Sequence, residues 1–351
     1  MPINHELYMQ RCLQLAQKGA GWVAPNPMVG AVLVYQNQII GEGYHAQYGQ
    51  AHAEVNCINS VAEKNREKIK DSTLYVSLEP CVHFGKTPPC TNLIIAHQIK
   101  KVVIGCMDPF DAVNGKGAIK LMQEGVEVIG PVLEKECKEL NKRFFNFHLN
   151  KRPYIILKWA QTADEMIGVK GQEIKISNPF TQRLVHTWRS AEAAILVGTQ
   201  TAITDNPKLN TRFGLKPNPL RMVIDKSLQL NQSFQLLNDH QPTWVFNTVK
   251  CEIQNSVRYI QLIEQPSLLK PILQYAYEHQ VQSILVEGGA KLLQSFISQE
   301  LWDEARVIKA SHAIGANNEH VIRAPHLFSA KLVNEAKLGT DIIQYYKRNL
   351  L

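Results

Sequence analysis

Apolar positions recur with two different periods along the first 150 residues. Apolar residues three and four apart predict a helix over residues 5–18, whereas residues 29–35 and 38–44 have strand character and form a hairpin, since only Gln36 and Asn37 separate them. Further helices are predicted over residues 52–65, 91–98, 117–123 and 131–146, and further strands over residues 73–78, 101–106 and 126–129. The alternation after the hairpin predicts a mainly parallel sheet with helices on both faces.

A domain boundary is predicted near residues 150–153, where the helical pattern ends and an apolar strand begins at residues 154–159. A chain of 351 residues also exceeds what one hydrophobic core normally supports. Beyond the boundary, strands are predicted at residues 194–197, 221–224, 243–246, 283–286 and 305–308, and helices at residues 179–186, 268–278 and 291–297. We therefore predict two α/β domains, residues 1–150 and 151–351.

Composition favours a cytoplasmic protein with reduced thiols. No apolar run reaches the roughly 20 residues that span a bilayer, and the first residues (MPINHE) lack a signal peptide, so no membrane partner is expected. The seven cysteines are an odd number and are scattered, unlike a secreted disulfide framework. The formal charge of +7 suits an anionic ligand, either a phosphorylated small molecule or a nucleic acid. The Lys and Arg residues are dispersed along the chain, however, so an ordinary basic surface is an equally good interpretation.

The chemistry of the first half is indicated by His52, Cys81 and Cys90. One imidazole and two thiolates form a three-ligand zinc site, and a tetrahedral ion with three protein ligands keeps its fourth position for water. Glu54, two residues after His52, has the type and spacing of a carboxylate that moves protons to and from that water. Such an arrangement hydrolyses amino-substituted heterocycles, as in the zinc deaminases.

Two other interpretations of these residues stay open at this point. In the first, His52, Cys81 and Cys90 are unrelated buried residues, which is the commoner situation for any single histidine or cysteine. In the second, the zinc is structural and has a fourth protein ligand, for which His83 or Glu79 is available. The placement of the three residues beside predicted strand and helix ends favours the catalytic site.

The first half also resembles a known family. The motifs PNPMVG at residues 25–30, GEGYH at 41–45, HAE at 52–54 and SLEPCVHFGKTPPC at 77–90 are similar to the amino-terminal half of the bifunctional deaminase and reductase family of riboflavin biosynthesis. Ordinary cytidine deaminases place two residues between their two cysteines, whereas eight residues separate Cys81 from Cys90. This insertion is typical of the riboflavin enzymes, and it argues against a deaminase of tRNA or DNA bases.

The resemblance implies a substrate for the first half, with one zinc ion per chain. This half would remove the 2-amino group of 2,5-diamino-6-ribosylamino-4(3H)-pyrimidinone 5′-phosphate. By the same resemblance Glu54 is catalytic, and the residues that contact this substrate are Asn26, His45, His83 and Lys86. An Asn between two prolines could also cap a turn, and Lys86 could be a solvated loop charge.

The second half offers a weak signal of its own and a stronger resemblance. The segment VEGGA at residues 286–290 places two glycines between a strand and a helix, a turn that can hold phosphate, although no GxGxxG fingerprint accompanies it. Residues 189–201, 205–212 and 219–225 resemble the reductase half of the same family, whose fold is that of dihydrofolate reductase. The implied reaction is hydride transfer from NADPH that opens the ribosyl group and gives 5-amino-6-(5-phospho-D-ribitylamino)uracil.

The resemblance also assigns residues in this half. The positions implied to hold the phosphorylated substrate are Arg189, Leu209, Arg212 and Glu287. The positions implied to hold the nicotinamide cofactor are Ala160, Lys175, Thr201, Asp205, Lys226, Gly289, Ala290 and Lys291. Arginine suits phosphate because its planar fork donates two parallel hydrogen bonds, but a surface ion pair is the alternative for both arginines.

Two departures from the family pattern lie beside the expected cofactor site. Where the family has Ser-Leu-Asp-Gly, this chain has TADE at residues 162–165, and where a Trp often precedes Ile-Thr, it has KIS at residues 175–177. Their effect on the reductase rate stays open, as do the oligomeric state, the transfer of intermediate between sites and the choice between NADPH and NADH.

Two alternative functions are open to the whole chain. A nucleic-acid or nucleoside deaminase with an appended binding domain predicts clustered basic residues interleaved with stacking aromatic residues, and the sequence contains neither. A binding protein with a purely structural zinc predicts that Glu54 is dispensable. The bifunctional enzyme, acting on a phosphorylated pyrimidine without nucleic-acid or membrane partners, is the preferred hypothesis, and a homo-oligomer is compatible with it.

Overall fold

The computed structural model describes residues 4–84, 88–170, 172, 174–214, 218–238, 240–264, 266–315 and 320–349. The chain divides into two compact units, Met1–Lys151 and Arg152–Leu351. Within the described ranges, no helix combines the length and the apolar character needed to cross a bilayer. Each unit is built around its own β-sheet.

The first unit consists of a five-stranded sheet with helices on both faces. Its strands are β1 (Gly30–Tyr35), β2 (Gln38–Tyr44), β3 (Thr73–Val76), β4 (Lys101–Ile104) and β5 (Glu127–Ile129). Its helices are α1 (His5–Gln17), α2 (Ala53–Asn59), α3 (Cys90–Ala96), α4 (Lys116–Gln123), α5 (Glu134–Leu140) and α6 (Lys142–Asn150), with a 3-10 helix at Glu63–Asp71. The strand order is β2-β1-β3-β4-β5.

Alternate residues along the strands of the first unit supply two hydrophobic cores. On β1, Leu33 packs with α2, α3 and α4 on one face, whereas Val32 packs with α1, α5 and α6 on the other. This alternation follows from the two-residue period of a strand. The pairs β3/β4 and β4/β5 are parallel, but β1 is antiparallel to both β2 and β3. The mainly parallel sheet that we predicted is therefore a mixed sheet.

Two predicted helices of the first unit are interrupted. The helix predicted over residues 52–65 ends at Asn59, because the Ser60 hydroxyl donates to Cys57 O (2.7 Å) and accepts from the Glu42 N–H (2.8 Å). The helix predicted over residues 131–146 is two helices that meet at Asn141. The Asn141 side chain accepts from the Met28 N–H (2.8 Å) and donates to the Met28 carbonyl (2.9 Å). Both interruptions depend on partners that are distant in sequence.

The second unit consists of a ten-stranded sheet and a two-stranded sheet. Its strands are β6 (Tyr154–Gln161), β7 (Met166–Val169), β8 (Ala194–Gly198), β9 (Leu220–Ile224), β10 (Thr243–Asn247), β11 (Glu252–Gln254), β12 (Val257–Gln261), β13 (Ser283–Val286), β14 (Glu304–Lys309), β15 (Val321–Arg323), β16 (Ala330–Leu338) and β17 (Asp341–Arg348). Its helices are α7 (Pro179–Ala191), α8 (Thr199–Asp205), α9 (Leu269–Glu278) and α10 (Ala290–Ser298), with a 3-10 helix at Gln235–Leu237.

The large sheet has the order β11-β12-β10-β9-β8-β13-β6-β14-β17-β16, and strands β12 to β14 in this order are parallel. Helices α9 and α10 contribute to the core on one face, and α7 and α8 contribute to the core on the other. Because neighbouring parallel strands end at the same edge of a sheet, the loops after β6, β8, β9 and β13 collect at one edge. Ligands of open α/β sheets bind at that edge.

A buried arginine stabilises the β9 and β10 region of this sheet. Arg221, 2% exposed, donates to Thr243 Oγ1 (2.8 Å) and to the carbonyl oxygens of Gln235 (2.8 Å), Asn238 (2.9 Å) and Gln241 (2.6 Å). Burial lowers the pKa of this guanidinium to about 10. A single side chain thus donates to several acceptors, of which those of Gln241 and Thr243 belong to buried residues.

We expect Arg221→Met to destabilise the second unit by about 4 kcal/mol, because the four acceptors would lose the hydrogen bonds that Arg221 donates, at about 1–3 kcal/mol for each acceptor left without a donor. Urea denaturation followed by tryptophan fluorescence measures this loss. Arg183→Met, at an exposed position of α7, is the matched control. Equal stability of the two variants would contradict the structural role of Arg221.

Candidate active sites

The three predicted zinc ligands lie together in the first unit. His52 is the N-cap of α2, Cys81 follows Pro80 after β3, and Cys90 is the first residue of α3. Nδ1 of His52 lies 3.6 Å from Sγ of Cys81 and 3.4 Å from Sγ of Cys90, and all three ligand atoms lie within 4.8 Å of one another. A tetrahedral zinc ion with ordinary bond lengths places nitrogen and sulfur ligands about 3.6 Å apart. The donor set and its spacing therefore fit zinc.

Electrostatics favour a thiolate at this cluster. The Cys90 thiol, followed by the His52 ring, lowers the pKa of Cys81 to about 4 through hydrogen bonds to its sulfur. The backbone N–H of Cys90 also donates to Sγ of Cys81 (3.3 Å). Since the thiolate is the metal-binding form of cysteine, the local structure prepares Cys81 to bind a cation.

Glu54 lies beside the ligand cluster without belonging to it. The residue is 3% exposed in the first turn of α2, and the Cys90 thiol forms a hydrogen bond with its carboxyl group. Burial, and then the nearby charge of Cys81, raise the pKa of Glu54 above its ordinary value. A carboxyl group with a raised pKa next to a metal site has the properties of a group that can both take and give a proton.

His45 and Asn26 extend the site on the His52 side. The His45 ring is 5.4 Å from the His52 ring in an edge-on arrangement, its Nδ1 lies 3.0 Å from the Ala51 carbonyl, and its Nε2 lies 3.2 Å from the Asn26 side-chain nitrogen. Burial lowers the pKa of His45. These partners indicate a neutral ring that donates from Nδ1 and accepts at Nε2.

The remaining predicted residues of the first site are placed differently. His83 lies with its ring edge-on to Phe110, at 5.6 Å between ring centres, and it does not belong to the ligand cluster among the described residues. Lys86 lies outside the described residues. The proposed role of Lys86 at the substrate therefore stays a prediction.

The alternative in which Glu79 is a fourth ligand is wrong. The buried Glu79 carboxylate accepts from the backbone N–H groups of Asp108 (3.2 Å), Gly115 (2.9 Å), Gly117 (2.9 Å) and Ala118 (3.1 Å). In the part of the chain that the structure describes, the candidate metal cluster contains His52, Cys81 and Cys90 alone. Glu79 instead fixes the loop that leads into α4.

Asp108, in the loop after β4, is a further candidate that the sequence motifs do not indicate. It is 7% exposed, and burial raises its pKa to about 7, with the charges of Glu79 and Cys81 adding to the effect. One carboxyl oxygen accepts from the Phe110 N–H (2.8 Å). A carboxyl group four residues beyond a parallel strand was the available signal, because such strand ends carry ligand-binding residues.

The twelve residues assigned to the second half line one cavity of about 1490 Å³ in the second unit. They come from β6, α7, α8, α10 and the loops between these elements. The full set is Ala160, Lys175, Arg189, Thr201, Asp205, Leu209, Arg212, Lys226, Glu287, Gly289, Ala290 and Lys291. The structure thus brings the predicted residues together, while the individual role of each stays a prediction.

A buried cluster of three charges lies in this cavity. Arg189 forms a bidentate ion pair with Glu287, in which Nε and Nη2 donate to the two carboxylate oxygens at 2.6 and 2.7 Å. Nζ of Lys158 is 3.8 Å from the same carboxylate. Burial alone would raise the pKa of Glu287, but the charges of Arg189 and Lys158 lower it to about 2. Burial also lowers the pKa of Lys158. Lys158 is not part of any predicted motif, although a single charge within the apolar run of β6 was a detectable signal.

The turn before α10 fits a phosphate group. Gly288 has φ of 125°, which side chains rarely adopt, and a Cβ on Gly289 would lie 3.0 Å from Oγ1 of Thr201. The backbone can therefore approach a ligand closely here, next to the N-terminus of a nine-residue helix. Oδ1 of Asn210, which also lines the cavity, is buried and has no donor among the described residues. These features fit a phosphorylated ligand with hydrogen-bond donors.

The departures from the family pattern are accommodated locally. Glu165, where the family has glycine, adopts a left-handed conformation with φ of 61° in the turn between β6 and β7, at a cost of about 1 kcal/mol. Thr162 and Asp164 hold the same turn through a side-chain hydrogen bond of 2.5 Å. Lys175 lines the cavity. The turn is thus retained without the glycine.

Two family models match the chain. The model for the cytidine and deoxycytidylate deaminase zinc-binding region matches residues 2–106, and the model for the RibD C-terminal domain matches residues 153–344. The riboflavin biosynthesis protein RibD of Aquifex aeolicus is 37% identical, and the match covers 97% of this chain and 98% of the relative. The chain belongs to the RibD family.

Other RibD proteins are similar along nearly the whole chain. The Escherichia coli RibD is 33% identical over 93% of this chain and 92% of its own length. The Thermotoga maritima diaminohydroxyphosphoribosylaminopyrimidine deaminase/5-amino-6-(5-phosphoribosylamino)uracil reductase has a solved structure that is 34% identical, covers 98% of each chain and has a TM-score of 0.88.

RibD membership confirms the predicted α/β fold class, a three-layer cytidine-deaminase-like domain followed by a reductase domain with the dihydrofolate-reductase-like fold. The chain is a bifunctional riboflavin biosynthesis enzyme. It has a zinc-binding deaminase domain and a reductase domain of the NADPH-using kind.

Proposed function

We propose that the first unit removes the 2-amino group of 2,5-diamino-6-ribosylamino-4(3H)-pyrimidinone 5′-phosphate by hydrolysis. The observation that carries this proposal is the convergence of His52, Cys81 and Cys90 within 4.8 Å, with Glu54 buried beside them. A zinc ion held by these three side chains supplies a Lewis acid that makes water nucleophilic near neutral pH. The products are ammonia and the corresponding pyrimidinedione.

Glu54 has the central proton-transfer role in this proposal. Its carboxylate accepts a proton from the attacking water, passes it to the ring nitrogen beside the amino-bearing carbon and assists the departure of ammonia. Asn26, His45, His83 and Lys86 are proposed to position the substrate, as the family resemblance implies. Asp108 joins this proposal because its buried carboxyl group, with a pKa near 7, can donate a hydrogen bond to the substrate.

We propose that the second unit reduces the ribosyl group of the deaminated product and yields 5-amino-6-(5-phospho-D-ribitylamino)uracil. The shared cavity lined by all twelve predicted residues supports this assignment. NADPH supplies the hydride that forms the new bond to C1′. The turn at Gly289, with Ala160, Lys175, Thr201, Asp205, Lys226, Ala290 and Lys291, is proposed to hold this cofactor.

The charge cluster is proposed to face the ribosyl group. As C1′ gains a hydride, the C1′–O4′ bond breaks, its electron pair goes to O4′, and O4′ must gain a proton. Lys158, whose pKa is lowered by burial, is proposed to supply that proton, and the ion pair with Glu287 is proposed to hold the Lys158 side chain in position. Because the guanidinium group of Arg189 is bonded to Glu287, Arg212 is the better candidate to bind the substrate phosphate. Leu209 is proposed to pack against the substrate.

An assay with the purified full chain tests both proposals. With the diaminopyrimidine phosphate as the only substrate, we expect the first unit to release ammonia. When NADPH is then added, we expect the second unit to oxidise it. Removal of metal by a chelator is expected to abolish ammonia release and to leave NADPH oxidation intact when deaminated substrate is supplied. Ammonia release that survives metal removal would contradict the deaminase proposal, and failure to oxidise NADPH would contradict the reductase proposal.

A further inference from the structure

Lys226 in the reductase cavity forms an ion pair with a residue that is not among the twelve that the family resemblance assigns. Lys226, in the loop after β9, forms an ion pair with Glu264, in the loop after β12. Both residues line the cavity, and both are partly exposed, with 51% and 39% of their side-chain surfaces accessible. Neither residue is buried in the protein, so a ligand in the cavity can reach both.

The Lys226 backbone is fixed, whereas its side chain can exchange partners. The Lys226 carbonyl accepts from both the N–H and the hydroxyl of Thr248, each at 3.0 Å. The ion pair with Glu264 is exposed, and such pairs are weak because water competes for both charges. An incoming anion can therefore replace Glu264 as the partner of Lys226 without movement of the loop.

The pair lies to one side of the phosphate-binding turn. In the sheet, β9 is separated from β13 by β8 alone, which places the β9 loop about 10 Å sideways from the turn after β13, since strands lie about 4.8 Å apart. A dinucleotide whose diphosphate is held at the Gly289 turn has its adenosine ribose within reach of such a position. Lys226 is therefore a candidate to contact the 2′ position of that ribose.

Lys226 and Glu264 have opposite preferences for the group at this position. A lysine ammonium group binds phosphate as a point charge, and a phosphate monoester carries close to two negative charges at neutral pH. A carboxylate repels that phosphate, but it accepts a hydrogen bond from a free 2′-hydroxyl. The balance between the two residues therefore bears on the choice between phosphorylated and unphosphorylated dinucleotides.

We propose that Lys226 and Glu264 form the selectivity element for the 2′-phosphate, in which Lys226 binds the phosphate and Glu264 weakens that binding by competing for Lys226. This inference rests on the proposed binding of NADPH in the cavity. It identifies Glu264 as a specificity-determining residue that none of the reductase motifs includes.

Titration calorimetry on the full chain tests the proposal with two small probes, adenosine 2′,5′-bisphosphate and adenosine 5′-monophosphate. We expect Lys226→Met to weaken binding of the bisphosphate about tenfold, the loss expected for one charge-assisted contact, and to change monophosphate binding less than about twofold. Glu264→Gln is expected to tighten bisphosphate binding about threefold without tightening monophosphate binding.

The exposed pair Lys250 and Glu252 provides matched controls, because it joins the same residue types outside the cavity. Lys250→Met and Glu252→Gln are expected to leave both affinities unchanged. Equal weakening of both probes by Lys226→Met, or an unchanged affinity ratio in Glu264→Gln, overturns the selectivity proposal while the cofactor site stands. If the unaltered protein binds neither probe, the cofactor assignment fails as well.

Discussion

Replacing Glu54 with glutamine is expected to slow ammonia release by about a thousandfold, within the range that a positioned acid or base contributes, while the metal stays bound. Glutamine preserves the shape of the buried side chain, but its amide group neither accepts nor supplies a proton near neutral pH. The ligands His52, Cys81 and Cys90 are unchanged, since Glu54 is not one of them. Ammonia release and metal content are measured on the same preparation.

The control for this variant is Glu63→Gln, on a side chain that is 87% exposed in the 3-10 helix Glu63–Asp71. Full deaminase activity is expected in the control, and NADPH oxidation with supplied deaminated substrate is expected to be unchanged in both variants. A Glu54→Gln enzyme that keeps its metal and still releases ammonia at the normal rate would leave a structural zinc as the better interpretation.

Much of the deaminase site was predictable because its residues stand where local sequence signals change. His52 begins a helix, Cys81 follows a strand and a proline, and Cys90 begins the next helix. Each break is visible in the pattern of apolar residues and prolines. The local pattern therefore places these side chains at the ends of helices and strands. The alternation of strands and helices after the hairpin also predicted the parallel pairing of β3 and β4.

Features that depend on distant partners were not predictable. The break between α5 and α6 at Asn141 rests on its hydrogen bonds with Met28, 113 residues away. Strand β16 (Ala330–Leu338) has the residues AKLVNEAKL, which favour helix, and most of its side chains are exposed. It is a strand because it pairs with β17 at the edge of the sheet. Tertiary pairing therefore overrides local preference at both places.

Charged pairs inside a cavity were also not predictable from the sequence. The resemblance supplied Glu287, but the partners Lys158 and Glu264 carry no motif of their own. Lys158 lies on β6 and meets Glu287 of the β13 turn because these strands are parallel neighbours. Such a contact follows from sheet order, which the sequence pattern of single strands does not specify.

Replacing Glu287 with glutamine is expected to impair the second unit in two ways. Without the carboxylate, nothing offsets the effect of burial on the pKa of Lys158, which Glu287 raises in the native protein. The pKa of Lys158 then falls further below its ordinary value, so Lys158 is a poorer source of the proton for O4′, and we expect the reductase rate to fall about a hundredfold, the lower end of the range for a lost proton donor. NADPH oxidation with supplied deaminated substrate measures this, and ammonia release is expected to be normal.

The same variant is expected to lose about 3 kcal/mol of stability at neutral pH, because the native carboxyl has a pKa of about 2 instead of 4.5. A lowered native pKa stabilises the fold above the ordinary carboxyl pKa, and this contribution disappears as the pH falls from 4.5 towards 2. The stability difference between the unaltered protein and Glu287→Gln should therefore shrink as the pH falls from about 5 towards 2.

Urea denaturation at a series of pH values measures this difference. Tryptophan fluorescence reports mainly on the second unit, since Trp159, Trp188, Trp244 and Trp302, four of the five tryptophans, lie there. Glu278→Gln, at the exposed end of α9, is the matched control and should show neither the loss nor its pH dependence. A stability difference that stays the same from about pH 7 to pH 3 would contradict the assignment, because the lost interaction would then not depend on an ionised carboxylate between Arg189 and Lys158.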